Sequence, residues 1–262
     1  MNKFLGCLIL LISALMTSCI STQDLIYLQN KDGAVAAPIA TVPSRPYRLQ
    51  VNDVLSISIK TIDPKLAAMF TVTNDGGKQS QSDAGLYFDG FTVDDHGNIR
   101  MPVLGELNVI GFTLDEIRLR IEKQLLAEYF NKEANVFVTV KLAGMRFTMN
   151  GEIGAPGSKT LYKEQVTILE AIANAGDITI TGDRKAVTVI RKTSTGVQMA
   201  DLDLTDINVM QSPYFYLQPN DYIYVKPLKQ KTWGTGKTGL ESLGTIITLL
   251  SLATTTFLLL RN

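Results

Sequence analysis

FTVDDHGNIRMPVLGELNVIGFTLDEIRLRI, residues 91–121, contains the local patterns that decide the fold of the first half of the chain. Apolar residues alternate on both sides of residues 95–98, Asp-His-Gly-Asn, which is a typical turn sequence. This pattern predicts a β-hairpin over residues 90–109. Thr113 and Glu116 have the capping-box spacing that begins a helix, which we expect to continue to about residue 130. The stretch therefore predicts a β-rich unit with one principal helix.

Residues 47–143 are the predicted extent of this first unit. It begins with the strand-forming sequence YRLQVNDVLSISIK at residues 47–60, in which Asn52 and Asp53 form a turn, and it ends with a strand at residues 136–142. The polar and glycine-rich residues 65–87 predict a loop or an insertion.

A second unit is predicted over residues 144–228. It contains a helix at residues 167–175 that ends at Gly176, and strand-like segments at residues 147–153, 187–191, 197–202 and 222–226. Two β-rich units with one principal helix each indicate an α+β protein.

The C-terminal residues 240–260, LESLGTIITLLSLATTTFLLL, predict an amphipathic transmembrane helix. At about 1.5 Å per residue they span roughly 30 Å, the thickness of the hydrocarbon core of a bilayer. One face is rich in leucine and isoleucine, and the other carries small and hydroxyl-bearing residues. A ring of copies around water would satisfy both faces, and a seam between helices is the alternative. The candidate pore-lining residues are Gly244, Thr245, Thr248, Ser251 and Thr255.

Residues 229–239 are a predicted hinge before this helix. Trp233, Lys237 and Arg261 lie close to the ends of the predicted span, where aromatic and basic residues typically anchor a helix at the membrane interface. The Gly-Lys-Thr of the hinge resembles the end of a phosphate-binding loop, but Lys231 occupies the position that this motif reserves for glycine. We therefore predict no nucleotide site.

Residues 1–18 have the layout of a lipoprotein signal peptide, with Lys3, an apolar run and small residues directly before Cys19. Cys19 is the predicted lipid attachment site, which would carry a diacylglycerol and an N-acyl chain. Cys7, the only other cysteine, lies in the segment that would be removed, so no disulfide is expected. The alternative is a plain signal peptide with an incidental cysteine. Residues 19–46 are then a lipid-anchored tether, and Ile20 favours sorting to the outer membrane.

Composition and local context argue against several classes of function. The formal net charge is zero, which gives no indication of a nucleic-acid partner. His96, the only histidine, lies in a predicted turn, and we expect no metal site there. The carboxylates that could form a catalytic pair have local roles in helix starts and turns, so we expect no enzyme. They are Asp115, Glu116, Asp201, Asp203 and Asp206.

An aromatic cluster at residues 214–224 has two interpretations. Its members are packing or subunit-contact residues, or they form a weak surface for sugar rings. The cluster consists of Tyr214, Phe215, Tyr216, Tyr222 and Tyr224.

Several blocks together resemble the Wza-type outer-membrane polysaccharide export lipoproteins. Residues 47–59 look like the opening of the family's export domain, with Val51-Asn52 where Pro-Gly is usual. Residues 91–121 resemble its hairpin and helix, with His96 inserted between Asp95 and Gly97. Residues 147–225 are similar to its soluble-ligand-binding β-grasp domain, of which this chain has room for one copy.

The resemblance implies a ring-shaped homo-oligomer, in which C-terminal helices form a barrel through the outer membrane and most of the chain lies in the periplasm. The cargo would be a capsular polysaccharide or exopolysaccharide, and the partner an inner-membrane polysaccharide co-polymerase. No cofactor is implied besides the lipid on Cys19. The rival hypothesis is a monomeric periplasmic glycan-binding lipoprotein that docks on a membrane partner.

Overall fold

The computed structural model describes residues 22–31, 46–62, 67–70, 89–130, 135–193, 196–228, 244 and 247–255. The signal peptide, most of the insertion and the hinge lie outside these ranges. The same holds for five candidate site residues, which are Cys19, Trp233, Lys237, Thr245 and Arg261.

The described part of the first unit combines a three-stranded sheet, a two-stranded sheet and one long helix. The elements are β1 (Val54–Lys60), β2 (Phe91–Thr92), β3 (Asn98–Met101), β4 (Gly105–Asn108), α1 (Leu114–Glu128) and β5 (Phe137–Leu142). The sheet order is β2-β1-β5, with both neighbouring pairs antiparallel, and β3 pairs with β4. Helix α1 packs against β5 and buries Ile117, Ile121 and Leu125 completely.

The predicted helix start is confirmed. A hairpin forms within residues 90–109 as predicted, but its paired strands are joined by the turn at residues 102–104 and not by residues 95–98. The side chain of Thr113 accepts from the Glu116 N–H and the Glu116 carboxylate accepts from the Thr113 N–H, which is a capping box. The turn at residues 95–98 forms, but β3 pairs with β4 and β2 pairs with β1. Val103, expected in a strand, lies in the turn between β3 and β4 with a φ of 66°. Alternation shows which residues face the core and not which strand pairs with which.

The second unit is a five-stranded sheet with a helix and loops packed on one face. The elements are β6 (Met145–Gly151), β7 (Gly157–Leu161), α2 (Ile168–Asn174), β8 (Gly182–Thr193), β9 (Gly196–Leu202), a 3₁₀ helix (Ile207–Gln211) and β10 (Tyr222–Pro227). The strand order is β7-β6-β10-β8-β9, in which β6 and β10 are parallel and the other pairs antiparallel. The core of the second unit is separate from that of the first unit. The described residues thus have the mixed helix-and-strand architecture that the sequence predicts.

Residues 22–31, which we name the N-terminal strap, lie against the second unit. The strap begins with the 3₁₀ helix Thr22–Leu25, and Tyr27 and Leu28 pack against the core of the second unit. The N–H groups of Leu28 and Gln29 donate to the carbonyls of Leu204 and Thr205 at 3.0 and 2.8 Å. The prediction of a tether over residues 19–46 did not include this docking.

The described part of the C-terminal segment is helical at residues 247–255. Ile247, Leu249 and Leu252 are about two-thirds exposed there, at 63%, 67% and 67%. Among the described residues, no helix has both the length and the apolar character needed to cross a membrane.

Candidate functional site

One turn occurs twice in the chain, with the sequence Leu-Gln-x-Asn-Asp at residues 49–53 and again at residues 217–221. In both copies the aspartate N–H donates to the glutamine carbonyl at 3.2 Å, and the glutamine N–H donates to the aspartate carboxylate at 2.8 Å. The asparagine of each copy has a positive φ, 70° and 66°, which asparagine tolerates better than most residues. The sequence predicted the turn at Asn52 and Asp53, but the recurrence of the same turn at residues 217–221 was not predicted.

The two buried aspartates of this turn have different partners. Asp53 accepts a hydrogen bond from the hydroxyl of Tyr47 at 2.8 Å. Asp221 accepts two from the guanidinium of Arg191, from Nε at 2.9 Å and from Nη2 at 2.7 Å. Burial raises the pKa of Asp53, against the hydrogen bonds from the Gln50 N–H and from Tyr47. Within the described ranges, the second copy of the turn therefore holds an ion pair, whereas the first holds a carboxylate with no cation as partner.

Both turns lie where the two units meet. The Ala143 N–H, between β5 and β6, donates to the Val54 carbonyl at 2.8 Å, so the first copy of the turn lies beside the passage between the units. Burial raises the pKa of Tyr47, and the negative charges of Asp53 and Asp221 raise it further. The Asn220 N–H donates to the carbonyl of Arg146, near the start of β6. The repeated turn thus marks the junction between the units.

The aromatic cluster separates into two groups. Phe215 is buried, and Tyr214 and Tyr216 pack half-buried against the same core, so the packing interpretation holds for these three. Tyr222 and Tyr224 point to the opposite face of the five-stranded sheet, where Tyr224 is 37% exposed and the Tyr222 hydroxyl accepts from the Asn150 amide at 2.8 Å. This polar and aromatic sheet face is a candidate sugar contact.

The described members of the predicted hydroxyl stripe are exposed, namely Gly244, Thr248, Ser251 and Thr255. Thr248 Oγ1 donates to the Gly244 carbonyl at 2.5 Å, and Thr255 Oγ1 donates to the Ser251 carbonyl at 2.6 Å. These bonds use the hydroxyl protons and leave oxygen lone pairs facing outward. Ile247, which we expected on the apolar face, lies one turn before Ser251 and shares its face.

Polar residues that resemble catalytic groups have structural roles. The Asp94 carboxylate accepts from the N–H groups of His96 and Asn98 at 2.9 and 2.8 Å and closes the predicted turn. The Asp201 carboxylate accepts hydrogen bonds from Thr188 Oγ1 at 2.5 Å and from Lys226 Nζ at 2.7 Å. Within the described ranges, no group of three or more histidine, cysteine, aspartate or glutamate residues could hold a metal ion.

Two family models match the chain in succession. Residues 41–141 match the polysaccharide biosynthesis/export protein family, and residues 145–225 match the SLBB domain. The chain therefore carries a polysaccharide biosynthesis/export region followed by an SLBB domain. The junction between the two matched regions coincides with the passage from β5 to β6.

Two curated relatives carry the name EPS I polysaccharide export outer membrane protein EpsA. The protein from Ralstonia nicotianae is 27% identical over 179 residues, which cover 65% of this chain and 44% of the relative. The protein from Ralstonia solanacearum is 26% identical over 155 residues, which cover 56% and 39%. The chain thus matches less than half the length of either relative.

The strap is the contact that sequence reasoning missed altogether. The Tyr27 hydroxyl donates to Asp177, and the Tyr27 ring lies over the Arg184 guanidinium, 5.3 Å from Cζ to the ring centroid. Burial, followed by the bond to Asp177, raises the pKa of Tyr27 to about 12. The only sequence signal was the apolar pattern Leu-Ile-Tyr-Leu at residues 25–28.

Proposed function

We propose that this protein is a lipid-anchored outer-membrane component of exopolysaccharide export, and that identical copies assemble into a ring that guides the polymer. The observation that carries the proposal is the succession of an export region and an SLBB domain along one chain. The names of both curated relatives, which include export and outer membrane, support the cargo and the location.

The proposed conduit is lined by the C-terminal helices. An exposed hydroxyl stripe beside exposed leucines supports a helix that contacts water on one side and lipid on the other. Several copies can enclose water and expose only the apolar side to lipid. The proposed partner at the periplasmic base is an inner-membrane polysaccharide co-polymerase.

The proposed anchor is a diacylglyceryl and N-acyl modification of Cys19. One acyl chain gives weak and reversible membrane binding, whereas two signals give stable anchoring. A lipid and a C-terminal span together would hold each copy in the outer membrane with most of the chain in the periplasm. In this proposal the protein carries the polymer and performs no chemistry on it.

Deletion of the gene tests the proposed role in export. We expect surface polysaccharide to be lost while polymer synthesis continues, with material retained in the periplasm, and the full-length gene should restore the surface polymer. Unchanged surface polysaccharide in the deletion strain would overturn the proposal. The rival, a monomeric glycan-binding lipoprotein, predicts that the extracted protein is a monomer.

A further inference from the structure

The five-stranded sheet of the second unit has two distinct ends. Strand β6 begins at Met145, three residues after β5 ends. The first unit, which we call the export unit from here on, therefore joins the sheet at the start of β6. Because β10 is parallel to β6, Tyr222 lies toward this end and Pro227 toward the other. The repeated turn with Asp221 lies at the junction end. At about 3.3 Å per residue, the ends of the seven-residue β6 are roughly 20 Å apart.

The C-terminal exit and the N-terminal strap meet at the end that is far from the junction. Pro227, the last residue of β10, pairs with Gly182, and the Leu228 N–H donates to the Thr181 carbonyl at 2.8 Å. Two residues further along β8, the Arg184 guanidinium lies beneath the ring of Tyr27. The segments that lead to both proposed membrane attachments therefore leave the second unit at one corner. We name residues 177–185 the distal corner.

The strap is held at the distal corner by several kinds of contact. Asp24 pairs with Lys185 at 2.6 Å, and Lys31 pairs with Asp203 at 2.7 Å. Since each of these side chains is more than a third exposed, the pairs contribute little by themselves. The main-chain hydrogen bonds and the packing of Tyr27 and Leu28 against the core supply the rest of the docking.

Chain length limits how far the lipid can lie from this corner. Cys19 precedes Thr22, the first described residue of the strap, by three residues, and a chain of three residues spans at most about 11 Å. Two large apolar side chains are also exposed at this corner, Ile26 of the strap at 52% and Ile180 at 62%. Exposed isoleucines beside a lipid attachment point fit the interface of a bilayer.

We infer that the strap holds the distal corner of the second unit against the lipid surface, so that Ile26 and Ile180 contact the bilayer and the export unit projects away from it. The inference rests on the proposed acylation of Cys19. In this arrangement the lipid positions the second unit through a docked segment, whereas a free tether would leave the orientation of the unit unfixed.

Quenching by labelled lipid tests this orientation in the full chain. A thiol-reactive fluorophore is attached to the cysteine of Ile180→Cys, and the matched control carries it at Ile62→Cys. Ile62 is 70% exposed. It follows the end of β1 at which Lys60 pairs with Phe137, and this end lies far from the junction. Acylated Cys19 leaves the introduced residue as the only free thiol. In vesicles of phosphatidylethanolamine and phosphatidylglycerol that contain spin-labelled lipid, we expect several-fold stronger quenching at position 180 than at position 62.

Equal quenching at the two positions in acylated protein would overturn this inference and leave the proposed export function standing. Absence of lipid labelling on Cys19 would instead overturn the proposed anchor, and this inference with it. A second measurement tests the strap itself. Gln29 and Asp206 are bridge partners, so the pair Gln29→Cys and Asp206→Cys should form a disulfide within one chain while export continues. Cross-links only between chains, or none, would contradict a docked strap.

Discussion

Asp53 and Asp221 occupy the same position in two copies of one turn, and each accepts a main-chain hydrogen bond from the glutamine three residues before it at 2.8 Å. Among the described residues, only Asp221 of the two has a cation as partner. The turn therefore does not need an ion pair to form. The Arg191–Asp221 pair lies within the second unit, where Arg191 also donates to the carbonyl of Tyr216 at 3.0 Å.

Loss of Arg191 should destabilise the second unit strongly. The side chains of Arg191 and Asp221 are 8% and 1% exposed, so Arg191→Met leaves a buried carboxylate without its cation, at a cost of about 3–5 kcal/mol. The matched control is Lys226→Met, because Asp201, the partner of Lys226, is half exposed. Loss of this exposed pair should lower the free energy of unfolding by less than about 1 kcal/mol. Urea unfolding of the full chain in detergent measures both, and equal losses would contradict the assigned role.

Asp53 and Glu170 should contribute to stability with opposite dependence on pH. Burial raises the pKa of Asp53, so its contribution to the free energy of unfolding falls as pH rises from about 4 through the raised pKa. The Thr167 N–H and Lys163 lower the pKa of Glu170, so its contribution is present above about pH 4.3 and lost as pH falls through the lowered pKa.

Two conservative variants separate these contributions. Relative to the unmodified chain, Asp53→Asn should become less stable as pH falls, whereas Glu170→Gln should become less stable as pH rises. The free energy of unfolding measured from pH 3 to pH 8 gives both slopes. Slopes of the same sign would show that one of the two protonation assignments is wrong.

The sequence predicted local structure well because capping boxes and turns are encoded by neighbouring residues. Thr113 begins α1 as expected, and Gly176, with a φ of 80°, follows the end of α2. Contacts between distant residues were not predicted. The partner of Asp221 is thirty residues away in sequence, and the contact between Tyr27 and Asp177 joins residues 150 apart. No short-range pattern encodes such pairs.

Replacing the hydroxyl stripe should impair transport without unfolding the protein. Thr248→Leu combined with Ser251→Leu makes the proposed lining apolar, and α-helix formation should persist because leucine is a good helix former. We expect loss of surface polysaccharide with unchanged protein level. Ala253→Leu, which adds bulk on another face of the described helix, is the control. Normal export by the double variant would exclude these residues as pore lining.

Cys19→Ser should abolish incorporation of labelled palmitate, because the thiol is the proposed acceptor of the lipid. The residual C-terminal attachment should leave the protein more easily extracted from membranes than the acylated form. Palmitate labelling of the variant at the level of the unmodified chain would place the lipid elsewhere.

The size of the complex extracted in mild detergent tests the proposed conduit most directly. Mass measurement and projection images of the purified full-length protein should reveal a closed ring of many identical copies with a central opening. A particle that contains one or two copies under conditions that preserve other outer-membrane assemblies would contradict the conduit and favour the monomeric glycan-binding lipoprotein.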